Sequence, residues 1–304
     1  MKTPRISSSP RGFTLMELMV AMAITTIIVT VLVSITAIAT DTWNRSRAEL
    51  RAARQAKSMV ETMARDFEAL VTRRGNENEW LSVVRPETQP GSSLPSSNSA
   101  ELVFFTAATD RYNGEIGGTL DKGGDVSTIG YRLEYRDPLD KAAGQFKTFV
   151  LNRLLVNPDD TFKDLLGQKD LTTAFNTYAT RISESQNFVC ENVFQFTITF
   201  HVEVTVPGTG TEPSKVQNRQ VTIGESGGTT VKSFKIKGTG LEVLPVSEEL
   251  KSGRIKAVEI SLTVISDAGI DQLRNRPFSG ADQQAEFMRK NAFNYTKLVQ
   301  IPSM

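Results

Sequence analysis

Hydrophobic patterning divides this chain into three stretches. From Leu18 to Thr40 there is no charged residue, a predominantly apolar run of 23 positions. As a helix it is ~34 Å long, enough to cross a ~30 Å hydrocarbon core. Beyond it, Leu50, Ala53, Ala56, Val60, Met63, Phe67 and Leu70 recur at spacings of three and four. Arg47, Arg51, Arg54, Lys57, Glu61, Arg65 and Glu68 fall on the other side. That pattern predicts an amphipathic helix with one buried face. No Pro or Gly interrupts residues 13–74, and Gly75 follows Arg73-Arg74 as a helix stop. One helix through to Gly75 fits, and so do two helices hinged near Asp41–Trp43.

After Gly75 the period changes. Residues 85–100 are rich in Pro and Ser and predict a loop. Short strands follow at Leu102–Phe105, at Ile129–Tyr135 and at Phe149–Val156. The clearest strand is 193–206, where Phe194, Phe196, Ile198, Phe200, Val202, Val204 and Val206 alternate with Gln195, Thr197, Thr199, His201, Glu203 and Thr205. Val258, Ile260, Leu262 and Val264 repeat the alternation against Glu259, Ser261 and Thr263. Period-two alternation predicts a sheet with one buried face. The 194–206 and 258–264 faces are expected to bury one another and the 50–70 stripe. Val231–Lys237 and Leu241–Leu244 predict a hairpin across Gly238-Thr239-Gly240. Segments 157–187 and 271–292 have weaker helical character. The fold class is therefore α+β, a long N-terminal helix packed on an antiparallel sheet.

Composition narrows the function. With 35 Lys plus Arg against 34 Asp plus Glu there is no bulk charge for nucleic acid, and the run Arg45 to Lys57 is interleaved with acid. Catalytic material is sparse: one His, one Cys, and no nucleophile-elbow, P-loop or dinucleotide glycine pattern. His201 is expected on a polar strand face and Cys190 as a buried structural thiol. GTGTEPSK (208–215) lacks P-loop spacing and predicts a turn. The acidic turns Asp121–Asp125 and Asp159–Asp160 lack EF-hand spacing, so a polar turn outweighs a calcium site. No catalytic residue, metal site or cofactor is expected.

The start of the chain carries the distinctive chemistry. Lys2, Arg5 and Arg11 precede Gly12-Phe13-Thr14-Leu15-Met16-Glu17, and the apolar run follows at once. A carboxylate at the edge of a membrane span is costly and marks a functional candidate. Positive charge before the span holds the N-terminus in the cytoplasm. An ordinary secretory signal competes, with Ala37-Ile38-Ala39 as a cleavage site, but this apolar run exceeds the usual ~7–15 residues. An unprocessed signal anchor and a buried core helix are further alternatives.

The basic leader, the Gly12-Phe13 junction and Glu17 resemble the processing signal of type IV pilins and type II secretion pseudopilins. The resemblance implies cleavage after Gly12 by a prepilin peptidase, which also methylates the new Phe13 amine. It implies that Glu17 pairs with the amine of an adjacent subunit during assembly. Expected partners are that peptidase/methyltransferase, other pseudopilin subunits and an inner-membrane assembly platform. The expected organisation is a cleaved leader (1–12), a transmembrane helix (13–40), an amphipathic stalk (41–75), a sheet head (76–266) and a C-terminal extension (267–304). The element order, through MARDFEALVTRRG (63–75), YRLEY (131–135), FVLNRLLV (149–156), ENVFQFTITF (191–200) and RIKAVEISLTVIS (254–266), is similar to J-type minor pseudopilins. The unmatched C-terminal stretch also admits a cassette-type pilin-like set of Verrucomicrobia. The function implied is a minor pseudopilin of a secretion pseudopilus. The alternatives are a minor pilin of a type IV pilus and a membrane-tethered periplasmic binding protein or enzyme.

Overall fold

The computed structural model describes residues 12–91, 94–107, 124–138, 144, 146–206, 214–226, 229–275, 278 and 280–301. The leader cations Lys2, Arg5 and Arg11, residues 121–123 of the acidic turn and 208–213 of the glycine-rich turn lie outside them. The chain divides into two units, the first ending at Leu50 and the second running from Arg51. Helix α1 (Leu15–Glu68) contributes to both and is unbroken at Asp41–Trp43.

In the first unit the residues from Phe13 to Ile38 expose their apolar side chains. The hydroxyls of Thr25, Thr26, Thr30, Ser34, Thr36 and Thr40 each donate to the carbonyl four residues back, at 2.8–2.9 Å. Polar groups satisfied inside their own helix need no water, which suits an apolar surround.

The second unit is built on two sheets. The larger contains β1 (Glu79–Val84), β2 (Glu101–Thr106), β3 (Ser127–Arg136), β4 (Thr148–Val156), β5 (Phe188–Glu191), β10 (Ser233–Lys237) and β11 (Gly240–Leu244), in the order β11-β10-β1-β2-β3-β4-β5. The smaller contains β6 (Val193–Val206), β7 (Lys215–Thr222), β12 (Arg254–Ile265) and β13 (Ala292–Gln300), in the order β13-β12-β6-β7. A short pair, β8 (Gly224–Ser226) with β9 (Thr229–Val231), stands apart from both. The pairings within all three are antiparallel.

One face of the large sheet receives two partners. The end of α1 packs on it, with Phe67 stacked on Phe104 at 4.7 Å between centroids. The apolar face of the small sheet packs on it too: Phe200 on Phe234 at 3.9 Å, Phe194 on Phe149 at 5.2 Å, Phe196 on Tyr131 at 6.4 Å. The opposite face is covered by the short helical turns of residues 157–187. There Phe175 lies so close to β3 that a Cβ at Gly130 would sit 2.2 Å from its ring. Asn192 carries the chain from one sheet to the other in a single residue at φ 63°. Asn tolerates that region, and here Thr148 donates to its side chain at 2.6 Å while its amide donates to Asp267 at 2.9 Å.

The structure departs from the sequence expectations at four places. The helix ends at Glu68, not Gly75, because Leu70 bridges to Thr106 and the Val71 amide donates to the Phe105 carbonyl at 2.9 Å. Leu50, at the head of the predicted stripe, is 58% exposed, and burial begins at Ala52. The 194–206 and 258–264 strands are neighbours in one sheet, with Phe200 opposite Val258 and Phe196 opposite Leu262. Their apolar faces therefore point the same way and are buried by the large sheet and not by each other. Residues beyond 266 are not separate from the sheets: β13 pairs with β12 from Ala257↔Gln300 to Ile265↔Ala292.

A buried charge cluster joins α1 to the large sheet. Asp66 accepts two hydrogen bonds from Arg153, Nε to Oδ2 and an η nitrogen to Oδ1, both at 2.7 Å. The Tyr131 hydroxyl donates to Asp66 and accepts from Arg153 Nε at 3.0 Å. The Arg153 and Asp66 side chains are only 3% and 4% exposed. Burial, reinforced by the Asp66 charge, pushes the Tyr131 phenol well above its ordinary value, so it stays neutral and donates. Burial opposes the Arg153 charge, but the hydrogen bonds and charges of Asp66 and Tyr131 together outweigh it, and its pKa stands above the usual guanidinium value.

Removing one member strands the other charge in the core. Asp66→Asn is expected to cost about 3–5 kcal/mol. The paired change Asp66→Leu with Arg153→Met is expected to recover most of that loss. Urea denaturation followed by the fluorescence of buried Trp80 reads both, with exposed Trp43 a constant background.

Candidate functional site

The candidate site is the N-terminal junction. Gly12, Phe13 and Thr14 precede α1 in non-helical conformation. Phe13 is 88% exposed, and among the described residues a Cβ placed on Gly12 would meet nothing within 4 Å. The bond between them thus lies in exposed, non-helical chain immediately outside a helix.

Glu17 sits at the third helical position, and its carboxylate is engaged. Thr14 donates to Glu17 Oε2 through its backbone N–H at 2.9 Å and through its hydroxyl at 3.0 Å. The Glu17 N–H donates in return to Thr14 Oγ1 at 3.2 Å. This is a reciprocal capping box, in which Ser or Thr and an acid three residues on satisfy the unpaired amides of a helix start. A carboxylate there also meets the positive end of the helix dipole. Sequence reasoning fixed on Glu17 and passed over Thr14, although a Thr-x-x-Glu spacing before an apolar run is the signature of such a box. The structure therefore brings Glu17 to Thr14. Phe13 bears a peptide amide in the chain with its leader, so the proposed ammonium partner arises only after cleavage.

Asp66, Arg153 and Tyr131 were also missed as a group. The available signals were an acid between Met63 and Phe67 on the apolar stripe, and an arginine inside the apolar run FVLNRLLV.

The remaining chemistry-bearing residues do not converge. His201 is half-buried on β6, with Nε2 3.3 Å from Glu259 Oε2. Cys190 lies on β5 at 2% exposure. Burial, with a smaller push from Glu191, raises its thiol to about 12. Among the described residues no group of three or more His, Cys, Asp or Glu could hold a metal ion. Asp160, from one of the acidic turns, pairs with Arg181 at 3.4 Å.

Helix α1 is the one helix, among the described residues, long and apolar enough to cross a membrane. Together with antiparallel sheets packed on its second half, it defines a pilin-like α+β fold. Residues 7–33 match the family model described as the prokaryotic N-terminal methylation motif. That stretch contains Gly12, Phe13, Thr14 and Glu17 and runs into the exposed apolar part of α1. The chain thus joins an N-terminal methylation motif, of the kind found in type IV pilins and pseudopilins, to a pilin-like α+β fold and a helix long and apolar enough to cross a membrane. No curated protein and no solved structure matches the chain.

The raised thiol makes a specific expectation. At pH 8 the Cys190 thiolate fraction in the folded state is about a thousandfold below that of a free cysteine. Maleimide labelling of the native protein is expected to be at least about a hundredfold slower than in urea. Fast native labelling would place Cys190 outside the core.

Proposed function

We propose that this protein is a minor pseudopilin, a structural subunit of an envelope-spanning secretion filament of the type II kind. The observation that carries the reading is the methylation motif on residues 7–33 leading into an exposed apolar helix. On this reading a prepilin peptidase cuts after Gly12 and methylates the Phe13 amine. The exposed, non-helical Gly12–Phe13 segment supports that step, since a protease binds chain that lies outside a helix and is within reach. The subunit then waits in the inner membrane, its N-terminus cytoplasmic and residues beyond the span periplasmic, in accord with the leader charges. The assembly platform extracts it, and helices of other pseudopilins replace lipid around α1.

Glu17 has two successive roles in this reading. Before cleavage Thr14 satisfies it within its own helix. After cleavage the Phe13 ammonium of an adjacent subunit becomes a second partner, and two charges that are each costly in low dielectric become tolerable together. The size of the unit from Arg51 onward supports a minor, J-type subunit, because a large body obstructs stacking above it in a repeating shaft. Removing the leader changes the side-chain balance to 32 basic against 34 acidic.

Intact mass of membrane-extracted protein tests the processing. The expected chain begins at N-methylated Phe13, and Gly12→Ala is expected to accumulate with its leader. A mature chain starting at Thr40, or one retaining Met1, overturns the proposal.

Glu17→Ala separates insertion from assembly. Processing and membrane residence are expected to be unchanged or easier, since a charge leaves the edge of the span. Crosslinking to partner subunits is expected to fall about tenfold or more. Wild-type crosslinking would remove the charge-pairing step from the mechanism.

A further inference from the structure

We propose that the second unit carries an oxyanion pocket that takes a phosphoryl group. The pocket lies where three segments meet: Thr72–Arg74 after α1, Ile236–Leu241 of the β10–β11 hairpin, and Lys251–Arg254 leading into β12. Its volume is about 220 Å³, room for one compact anion and some water. The lining includes Arg73, Arg74, Lys237, Lys251 and Arg254 and contains no acidic residue.

These cations differ in what already neutralises them. Lys237 is compensated, with Nζ 2.6 Å from Glu242 and 3.7 Å from Glu79. Lys251 has Glu248 at 4.0 Å, and both side chains are largely exposed. Glu242 and Glu248 line the adjoining hollow. Arg254 has no ion-pair partner among the described residues, so its charge on the lining of the hollow is not neutralised by an acid. Thr72, Thr239 and Ser252 also line the hollow, and among the described residues their hydroxyls have no hydrogen-bond partner.

The frame around these donors is fixed. A Cβ on Gly240 would fall 2.3 Å from the Lys251 carbonyl, and one on Gly253 would fall 2.5 Å from Val202, so hairpin and turn are in direct contact. The amides of Gly238 and Gly253 are spent on the carbonyls of Asn78 and Leu250, at 3.2 and 2.9 Å. With those two amides engaged, recognition is assigned to the side chains of the lining. A phosphoryl group suits them better than a carboxylate. It carries up to two charges and at least three acceptor oxygens, so it can accept from Arg254, Lys251 and the hydroxyls at once.

The test uses the full chain in neutral detergent at low ionic strength, titrated calorimetrically with inorganic phosphate and separately with glycerol 3-phosphate. Saturable binding of at least one, at one site per chain, is expected. Lys251→Gln and Arg254→Gln are each expected to weaken it about tenfold. Tighter binding of the ester would identify an organic phosphate or lipid headgroup as the source, and tighter binding of phosphate would identify the free ion. Acetate is expected to bind at least about tenfold more weakly. Absence of saturable binding by both probes, equal binding by acetate, or unchanged affinity in Lys251→Gln overturns the proposal. Lys251 is exposed, so its variant reports on the pocket even if Arg254→Gln fails to fold.

Discussion

The joint between Asp66 and Arg153 is the interaction on which the arrangement of the second unit depends. It places an acid of α1 against an arginine of β4, with Tyr131 of β3 closing the cluster. Apolar burial alone would let a helix slide or rotate on a sheet, because it has no direction. A two-pronged carboxylate–guanidinium pair has one geometry, and in a core it cannot be left half made. With the end of α1 so located, Phe67 stacks on Phe104 and the small sheet packs along the same face of the large one.

Much of this architecture could be read from the residues where one physical signal acted alone. Strand β6 alternates apolar and polar positions because one side meets the large sheet and the other meets water. The β10–β11 hairpin was legible from its glycine turn between apolar runs. Other elements were hidden by competing signals. Strand β1, EWLSVV, is buried on both sides, so it shows no alternation, and it is only six residues long. Strand β13 is an edge strand with Leu298 exposed at 55%, and its pattern is accordingly diluted. Which strands are neighbours and which lie face to face was not legible either. Period two marks a buried face but does not say what buries it.

The N-terminal site divides in the same way. Gly12, Phe13 and Glu17 are visible as a linear motif, since their proposed roles depend on adjacency along the chain. The Thr14–Glu17 box is equally local and could have been read from spacing. Asp66 and Arg153 could not, because they are 87 positions apart and only the fold joins them. Their trace in the sequence is a charge where the pattern calls for an apolar residue, and such a charge does not identify its partner.

The strand order has a consequence for the time course of folding. Strand β1 pairs on one side with β10, so Leu81 lies against Ile236, far along the chain. The small sheet adds β12 to β6 and then β13 to β12. Closing such distant pairs costs chain entropy before the contacts repay it, and topologies of this kind fold slowly. The apolar stripe of α1 from Ala52 to Phe67 is made early in synthesis, while strands β10 and β12 are made late. Until they arrive, the edges of β1 and β6 that they cover are open to wrong partners. A chain of this design therefore has an interval, set by the time needed to complete residues 233–265, in which it depends on protection from aggregation.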